Sequence, residues 1–264
     1  MACSLCVHDE HVGSIPILWQ RRHAMPVANA RASDDRGSLL FSAWVGFLLV
    51  VTLPPIWLVL ALTPAGAATH RRVRRCARAL LGLTGCRLQV HGLEYLTKES
   101  CAVLVANHSS YLDSVVLVAA IPCDCRFVAN HLAATRPLIG LIIRKAGHLV
   151  VDRGSRRSRA ACARAMVDLL RDGTSLLLFP EGTRAGNAML PFHAGAFRAA
   201  VKTGRPVLPI AISGTRRIWP RRTCLLRRSD IAVRVLPAIH DDVRTQESAM
   251  RLRDAAAEVI AAAL

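Results

Sequence analysis

The sequence predicts an α/β fold: a largely parallel sheet flanked by helices, preceded by an apolar N-terminal membrane helix or a re-entrant helical hairpin. Three observations carry this reading. From residue 85 onward, short apolar runs alternate with amphipathic stretches of helical period. Between Arg36 and Arg71 there is no Asp, Glu, Lys or Arg. A formal net charge of +17 coexists with 52% hydrophobic residues, which excludes a disordered basic tail. The chain of 264 residues therefore divides into a leader over 1–38, a membrane-anchoring segment with a basic helix over 39–84, and an α/β domain over 85–264.

The leader holds four Arg and four acidic residues and is neutral, so the whole excess charge lies beyond the apolar stretch. Cys3-x-x-Cys6 followed by His8 and His11 has the residue types of a zinc site, but the spacing is short and no finger surrounds it. No metal site is expected there, nor at Cys123-x-Cys125 with His131. Nine cysteines, an odd and scattered set, fit a reduced compartment better than a disulfide framework.

Leu39–Leu62 reads LLFSAWVGFLLVVTLPPIWLVLAL. As one helix it reaches about 36 Å, enough for a hydrocarbon core of about 30 Å. Pro54-Pro55 removes two helix donors and allows either a kinked span or a hairpin turning at the prolines. Five arginines follow at once, Arg71, Arg72, Arg74, Arg75 and Arg78. By the positive-inside rule they place the following domain on the cytoplasmic side of an inner or cytoplasmic membrane. Val73, Cys76, Ala77, Leu80 and Leu83 recur between them at helical spacing. This suits a basic helix lying on anionic headgroups or one packed on the domain.

The domain then reads in order. Leu88–Val90 and Ala102–Ala106 are strands, Ser114–Ala120 is a helix and Leu149–Val151 a strand. Arg156–Arg171 is a helix stopped by Gly173, and Ser175–Phe179 is a strand. Ala194–Thr203 is a helix stopped by Gly204, Val207–Ile212 and Ile231–Val235 are strands, and Gln246–Ala263 is a last amphipathic helix. With strongly basic and strongly apolar character together, the candidate partners are nucleic acid and an anionic membrane. Aromatics make up only 5% and do not interleave with basic runs, so the stacking platforms of single-strand binders are missing and the membrane is favoured.

Two motifs fall at predicted strand ends, where α/β sheets place their chemistry. After Ala102–Ala106 comes Asn107-His108-Ser109-Ser110-Tyr111-Leu112-Asp113. Asp113, about a helical turn beyond His108, can bond one ring nitrogen and leave the other as a general base. After Ser175–Phe179 comes Pro180-Glu181-Gly182-Thr183-Arg184. Gly182 permits a tight turn and close approach of a ligand. Thr183 is a donor, Arg184 offers a fork matched to phosphate, and Glu181 can accept from a hydroxyl. Together they read as a pocket for a phosphorylated headgroup.

The pair of motifs resembles the glycerolipid acyltransferases, specifically the 1-acylglycerol-3-phosphate acyltransferase family. Val150-Val151-Asp152-Arg153 and Val207-Leu208-Pro209-Ile210-Ala211-Ile212 match two further blocks in order, and Leu190–Phe197 is also family-like. The resemblance covers roughly residues 85–240. It implies acyl transfer from acyl-CoA or acyl-carrier protein to the free hydroxyl of a lysophospholipid, most simply 1-acylglycerol-3-phosphate to phosphatidic acid. Another lysolipid acceptor, such as a lyso-ornithine lipid, or a non-catalytic lipid-binding protein, are the alternatives. His108 and Asp113 are then the catalytic pair. Arg153, Glu181, Gly182, Thr183, Arg184 and Pro209 are the substrate-binding set. No metal or redox cofactor is implied, and no acyl-enzyme, since no Ser or Cys sits in a nucleophile elbow. Two positions depart from the family pattern: Asn130, where Lys is frequent, and His148, where a small residue is frequent. His148, His131 and His193 are expected to be packed or interfacial.

Overall fold

The structure, a computed structural model, describes residues 35–98, 101–186, 188–220, 223–241, 243 and 245–264. The Cys3, Cys6, His8 and His11 group and most of the expected leader lie outside the described residues.

The strands are β1 (Leu88–His91), β2 (Val103–Ala106), β3 (Cys125–Asn130), β4 (Leu149–Val151), β5 (Ser175–Leu178), β6 (Val207–Ser213) and β7 (Ile231–Val235). They form one sheet in the order β1-β7-β6-β2-β5-β3-β4. β6, β2, β5, β3 and β4 run parallel, whereas β7 is antiparallel to β6 and carries β1 parallel to itself. β2 is flanked on both sides and covered on both faces, which explains its unbroken apolar run; all four residues are buried.

The helices are α1 (Asp35–Leu62), α2 (Ala67–Thr84), α3 (Leu93–Lys98), α4 (Leu112–Ala120), α5 (His131–Ala134), α6 (Pro137–Lys145), α7 (Arg156–Arg171), α8 (Gly195–Thr203), α9 (Thr215–Ile218) and α10 (Gln246–Ala263). One face of the sheet, with Leu104, Leu177, Leu208 and Ile210, is covered by Ala77 and Leu81 of α2 and Val116 and Leu117 of α4. The other is covered by α7, α8 and α10, with Phe197 of α8 fully enclosed. Ser155 and Thr245 N-cap α7 and α10 through their hydroxyls, and Gly204 ends α8 in the left-handed conformation.

Sequence periodicity did not single out β3 or α6. β3 is polar at both ends and only half-buried beyond Cys125, so it lacks an apolar run. In α6 a proline opens the helix and only Gly140 and Ile143 are buried.

α1 runs unbroken through Pro54 and Pro55, so no hairpin turns at the prolines. The turn comes at Pro64–Gly66, and α2 packs back along α1. α2 packs on the domain: Ala77 and Leu81 join the core, while Arg71, Arg72, Arg75 and Arg78 face outward. α1 leaves a broad apolar surface open, including Leu40, Phe47, Val50, Val51, Leu58 and Leu62. Among the described residues its hydrogen bonds to other elements lie near its two ends. Near the start, the Leu226 amide donates to Ser42 Oγ at 2.7 Å and Trp44 Nε1 to the Leu83 carbonyl at 3.2 Å. At the end, Lys145 Nζ donates to the carbonyls of Leu60, Ala61 and Thr63 at 3.1, 2.5 and 2.8 Å. A cation there complements the negative end of the helix dipole.

Candidate active site

The parallel strands β2, β5, β3 and β4 are neighbours, and their carboxyl ends deliver His108, residues 180–184, Asn130 and Arg153 to one edge. The turn after β2 is built by side chains that act on main chain. Asn107, buried, donates Nδ2 to the Ile212 carbonyl at 3.0 Å and accepts the Ile212 amide at 2.8 Å. It extends the β2–β6 ladder by one residue and fixes the place from which His108 leaves the sheet.

His108 Nδ1 lies 2.9 Å from Asp113 Oδ2. The same oxygen accepts the amides of Ser109 and Ser110 at 2.7 and 2.8 Å. Asp113 is fully buried in the first turn of α4, where the helix dipole favours an anion. A carboxylate bonded to three donors keeps the proton on Nδ1 and leaves the Nε2 lone pair as the free base. The imidazole stacks on Phe179, with ring centroids 4.1 Å apart and planes 16° from parallel. No hydrogen bond from the described residues occupies Nε2, and the side chain keeps 18% of its surface open to an incoming hydroxyl.

Glu181 faces inward and is only 3% exposed. Its Oε1 accepts the His108 amide at 2.7 Å and its Oε2 the Leu190 amide at 2.8 Å. Burial holds its carboxyl above the usual carboxylate range, and the two amides offset only part of that rise. The Ala185 amide bonds the His108 carbonyl at 2.6 Å, so the two motifs are stitched together on both sides of His108. The geometry gives Glu181 main-chain partners in place of the substrate hydroxyl expected for it.

Gly182 has φ of 73°, and its amide closes the turn onto the Phe179 carbonyl at 3.1 Å. A Cβ here would stand 2.9 Å from His193 Cδ2 and 3.6 Å from Arg153 Nη1. The glycine thus lets Arg153, from the end of β4, approach the β5 turn. It also brings His193 against the turn, where the sequence predicts only a packed or interfacial histidine. Its signal lay in the flanking apolar residues Phe192 and Phe197, both buried, which anchor the segment carrying it. Thr183 is exposed at the turn. The Arg184 guanidinium carbon sits 3.3 Å from the centroid of the Tyr111 ring.

Pro209 is set back from this group. It is buried within β6 opposite Val105, and its carbonyl accepts the Leu236 amide at 2.9 Å. Asn130 caps α5 by accepting the Leu132 amide at 3.1 Å. His148 accepts the Phe127 amide at 3.3 Å on the face away from the motif turns, and burial lowers its pKa to about 4. It is a packed histidine. His131 lies 3.6 Å from Asp152 Oδ1. Among the described residues no three His, Cys, Asp or Glu side chains converge as a metal site, and all seven described cysteines are free.

The Acyltransferase family model matches residues 87–213, the stretch holding both motifs and the four adjacent strand ends. A 1-acyl-sn-glycerol-3-phosphate acyltransferase of Chlamydomonas reinhardtii is 30% identical over 264 residues, 96% of this chain and 77% of the relative. One from Limnanthes alba is 28% identical over 242 residues, 85% and 84% of the two chains. The human alpha form is 29% identical over 217 residues, 81% and 75%. In fold the chain is similar to the crystal structure of the 1-acyl-sn-glycerophosphate acyltransferase PlsC from Thermotoga maritima. That match has a TM-score of 0.70 at 21% identity and covers 85% of this chain and 95% of that one. With the His-Asp turn and the Glu-Gly-Thr-Arg turn locked together at the sheet edge, this chain is an O-acyltransferase that belongs to the 1-acyl-sn-glycerol-3-phosphate acyltransferase family.

Proposed function

We propose that the protein transfers a fatty acyl group from a thioester donor, acyl-CoA or acyl-carrier protein, to the hydroxyl of 1-acylglycerol-3-phosphate, giving phosphatidic acid. The observation that supports this best is the open Nε2 of His108, backed by a fully buried carboxylate. In this reading Nε2 takes the proton of the acceptor hydroxyl as its oxygen attacks the thioester carbonyl. Asp113 stabilises the imidazolium, and the same proton then goes to the departing thiolate. Acyl transfer occurs in one addition–elimination sequence with no acyl-enzyme and with the thioester as the only co-substrate. The amides of His108, Ser109, Ser110, Gly182 and Ala185 already have partners, so the tetrahedral oxyanion draws its donors from elsewhere. Arg184 and Arg153 grip the acceptor phosphate and so position the hydroxyl. Glu181 acts through His108, by holding its main chain.

The same reading assigns the N-terminal hairpin to the membrane and the α/β domain, over 85–264, to the cytoplasmic side. From Ser42 to Leu60, where contacts with the domain lie, α1 measures about 27 Å. A helix fastened near both ends to one water-soluble body lies along the bilayer plane rather than through it. Its exposed apolar face sinks into one leaflet, with the α2 arginines at the headgroups. The active site then takes its acceptor directly from that leaflet.

The test is an acyl-transfer assay on purified protein in anionic vesicles, with labelled acyl-CoA and a panel of lysophosphatidate, lysophosphatidylcholine and a lyso-ornithine lipid. Product should form chiefly with lysophosphatidate and vanish in His108→Ala. Preference for the ornithine lipid would move the acceptor assignment to that class, with the same base.

A further inference from the structure

Within the first motif, one aromatic side chain touches the proposed phosphate grip. Tyr111 opens the first turn of α4, two residues before Asp113. Tyr111 is 60% exposed, yet its ring is not bare. Two groups meet that ring. Arg184 from the β5 turn stands 3.3 Å above its centroid, measured from the guanidinium carbon. Trp219, just after α9, packs beside it with centroids 5.6 Å apart at 55°. An edge-on guanidinium would bring a nitrogen that close rather than the carbon, so the group lies flat. In a flat stack the N–H bonds point sideways, parallel to the ring, the geometry in which a guanidinium edge meets an oxyanion.

The wall behind this stack is itself fixed. α9 starts immediately after β6, at Gly214, where φ is 89° and a Cβ would clash with the Asp230 carbonyl at 2.0 Å. Thr215 is fully buried, and its hydroxyl lies 3.3 Å from that of Ser109 in the catalytic turn. Trp219 Nε1 donates to the Thr223 carbonyl at 3.2 Å. The His108 turn, the β5 turn and the α9 segment therefore meet through Tyr111.

We propose that Tyr111, backed by Trp219, is a positioning residue for acceptor recognition: it holds the Arg184 guanidinium flat, with its N–H edge toward the acceptor phosphate. This rests on the phosphate role given to Arg184 above. A long Arg side chain samples many rotamers, and an aromatic platform under it narrows that set before substrate arrives.

The experiment is a double-mutant cycle with Tyr111→Ala, Arg184→Ala and the double variant, together with Tyr111→Phe and Trp219→Ala. Tyr111→Ala should raise the KM for lysophosphatidate by about 3- to 30-fold, the span of a cation–aromatic contact, with kcat within about twofold. Tyr111→Phe should restore the wild-type value, since the ring face and not the hydroxyl is used. Trp219→Ala should give a smaller rise in the same direction. Tyr111→Ala should add nothing once Arg184 is gone. Effects of the two substitutions that simply add, a loss confined to kcat, or failure of Tyr111→Phe to rescue would each overturn the proposal.

A second readout keeps it apart from the acceptor assignment. Phenylglyoxal labelling of Arg184, followed by peptide mass spectrometry, should be slowed by added inorganic phosphate in wild type and not in Tyr111→Ala. Equal protection in both would overturn the Tyr111 role even if lysophosphatidate is the substrate. A wild type inactive on lysophosphatidate, yet showing this difference, would sink the acceptor assignment alone.

Discussion

The carboxyl edge of the sheet and the N-terminal helical hairpin are fastened by the same device with opposite sign. At the sheet edge one buried anion, Glu181, collects amides from two loops. At the hairpin one cation, Lys145, collects three carbonyls from the end of α1 and the turn beyond it. The consequences differ because the rest of each region differs. Around Glu181 the amides of residues 108, 109, 110 and 190 all end on Glu181 or Asp113, which holds His108 in one orientation. Between its two fastened ends α1 offers mostly apolar, exposed side chains, and its other contacts with the domain lie near its start. The first region is built to hold one geometry for chemistry. The second is built to rest in a lipid phase that makes no directional demand. A short polar network gives precision, and a long apolar face gives location.

That contrast is broken most severely at the base. His108→Ala should lower the acyl-transfer rate by about a thousandfold, within the usual range for a lost general base. Asp113→Asn should lower it in the same direction while the circular dichroism spectrum stays native. Initial rates at saturating donor check both. Glu181→Gln comes next. It places an amide group against one of two main-chain N–H donors, and the unmet donor should cost about 1–3 kcal/mol in urea unfolding. It should also lower kcat by releasing the His108 main chain, with little change in acceptor KM. A raised KM with unchanged kcat would return Glu181 to the substrate.

The hairpin side offers two effects that touch stability and leave the rate alone. His148 packs beside His70 and Arg126, and burial together with these neighbours lowers its pKa to about 4. The unfolded chain takes up a proton near pH 6.5 that the native state refuses until about pH 4. Stability should therefore fall as pH drops through that window, by about 2–3 kcal/mol at its acid end. His148→Gln should flatten the slope in urea titrations run at pH 7, 6, 5 and 4. Lys145→Met should cost about 1–2 kcal/mol by freeing the α1 carbonyls. It should raise hydrogen exchange in residues 60–66 while leaving kcat on a short-chain, soluble acceptor near wild type. A loss of kcat there would show that the hairpin shapes the active site directly.

Much of the catalytic edge was legible in the chain. His108 and Asp113 are close in sequence, and a strand leading into a helix brings them together with local geometry alone. Residues 180–184 are contiguous, so their turn could be read as a unit. What stayed hidden was non-local or directional. The inward rotation of Glu181 depends on amides at residues 108 and 190, which no spacing reveals. The approach of His193 to Gly182 depends on a segment anchored by Phe192 and Phe197. Pro209 was placed at the acceptor site by resemblance, yet the β6 register encloses it between neighbouring strands. In the hairpin, hydropathy located α1 within a few residues, but the two prolines left both a kinked span and a hairpin turn open. One such helix absorbs them without a break, and the reversal is set instead by Pro64–Gly66 and by Lys145 on another helix.

The claim on which the rest depends is that the acceptor hydroxyl attacks the thioester directly under His108. Intact-protein mass spectrometry after rapid mixing with acyl-CoA, first without and then with lysophosphatidate, measures it. The account predicts an unmodified protein mass throughout, with phosphatidic acid appearing only once acceptor is added and only when His108 is present. A protein mass raised by one acyl group in donor alone, and lost into product when acceptor arrives, would contradict it.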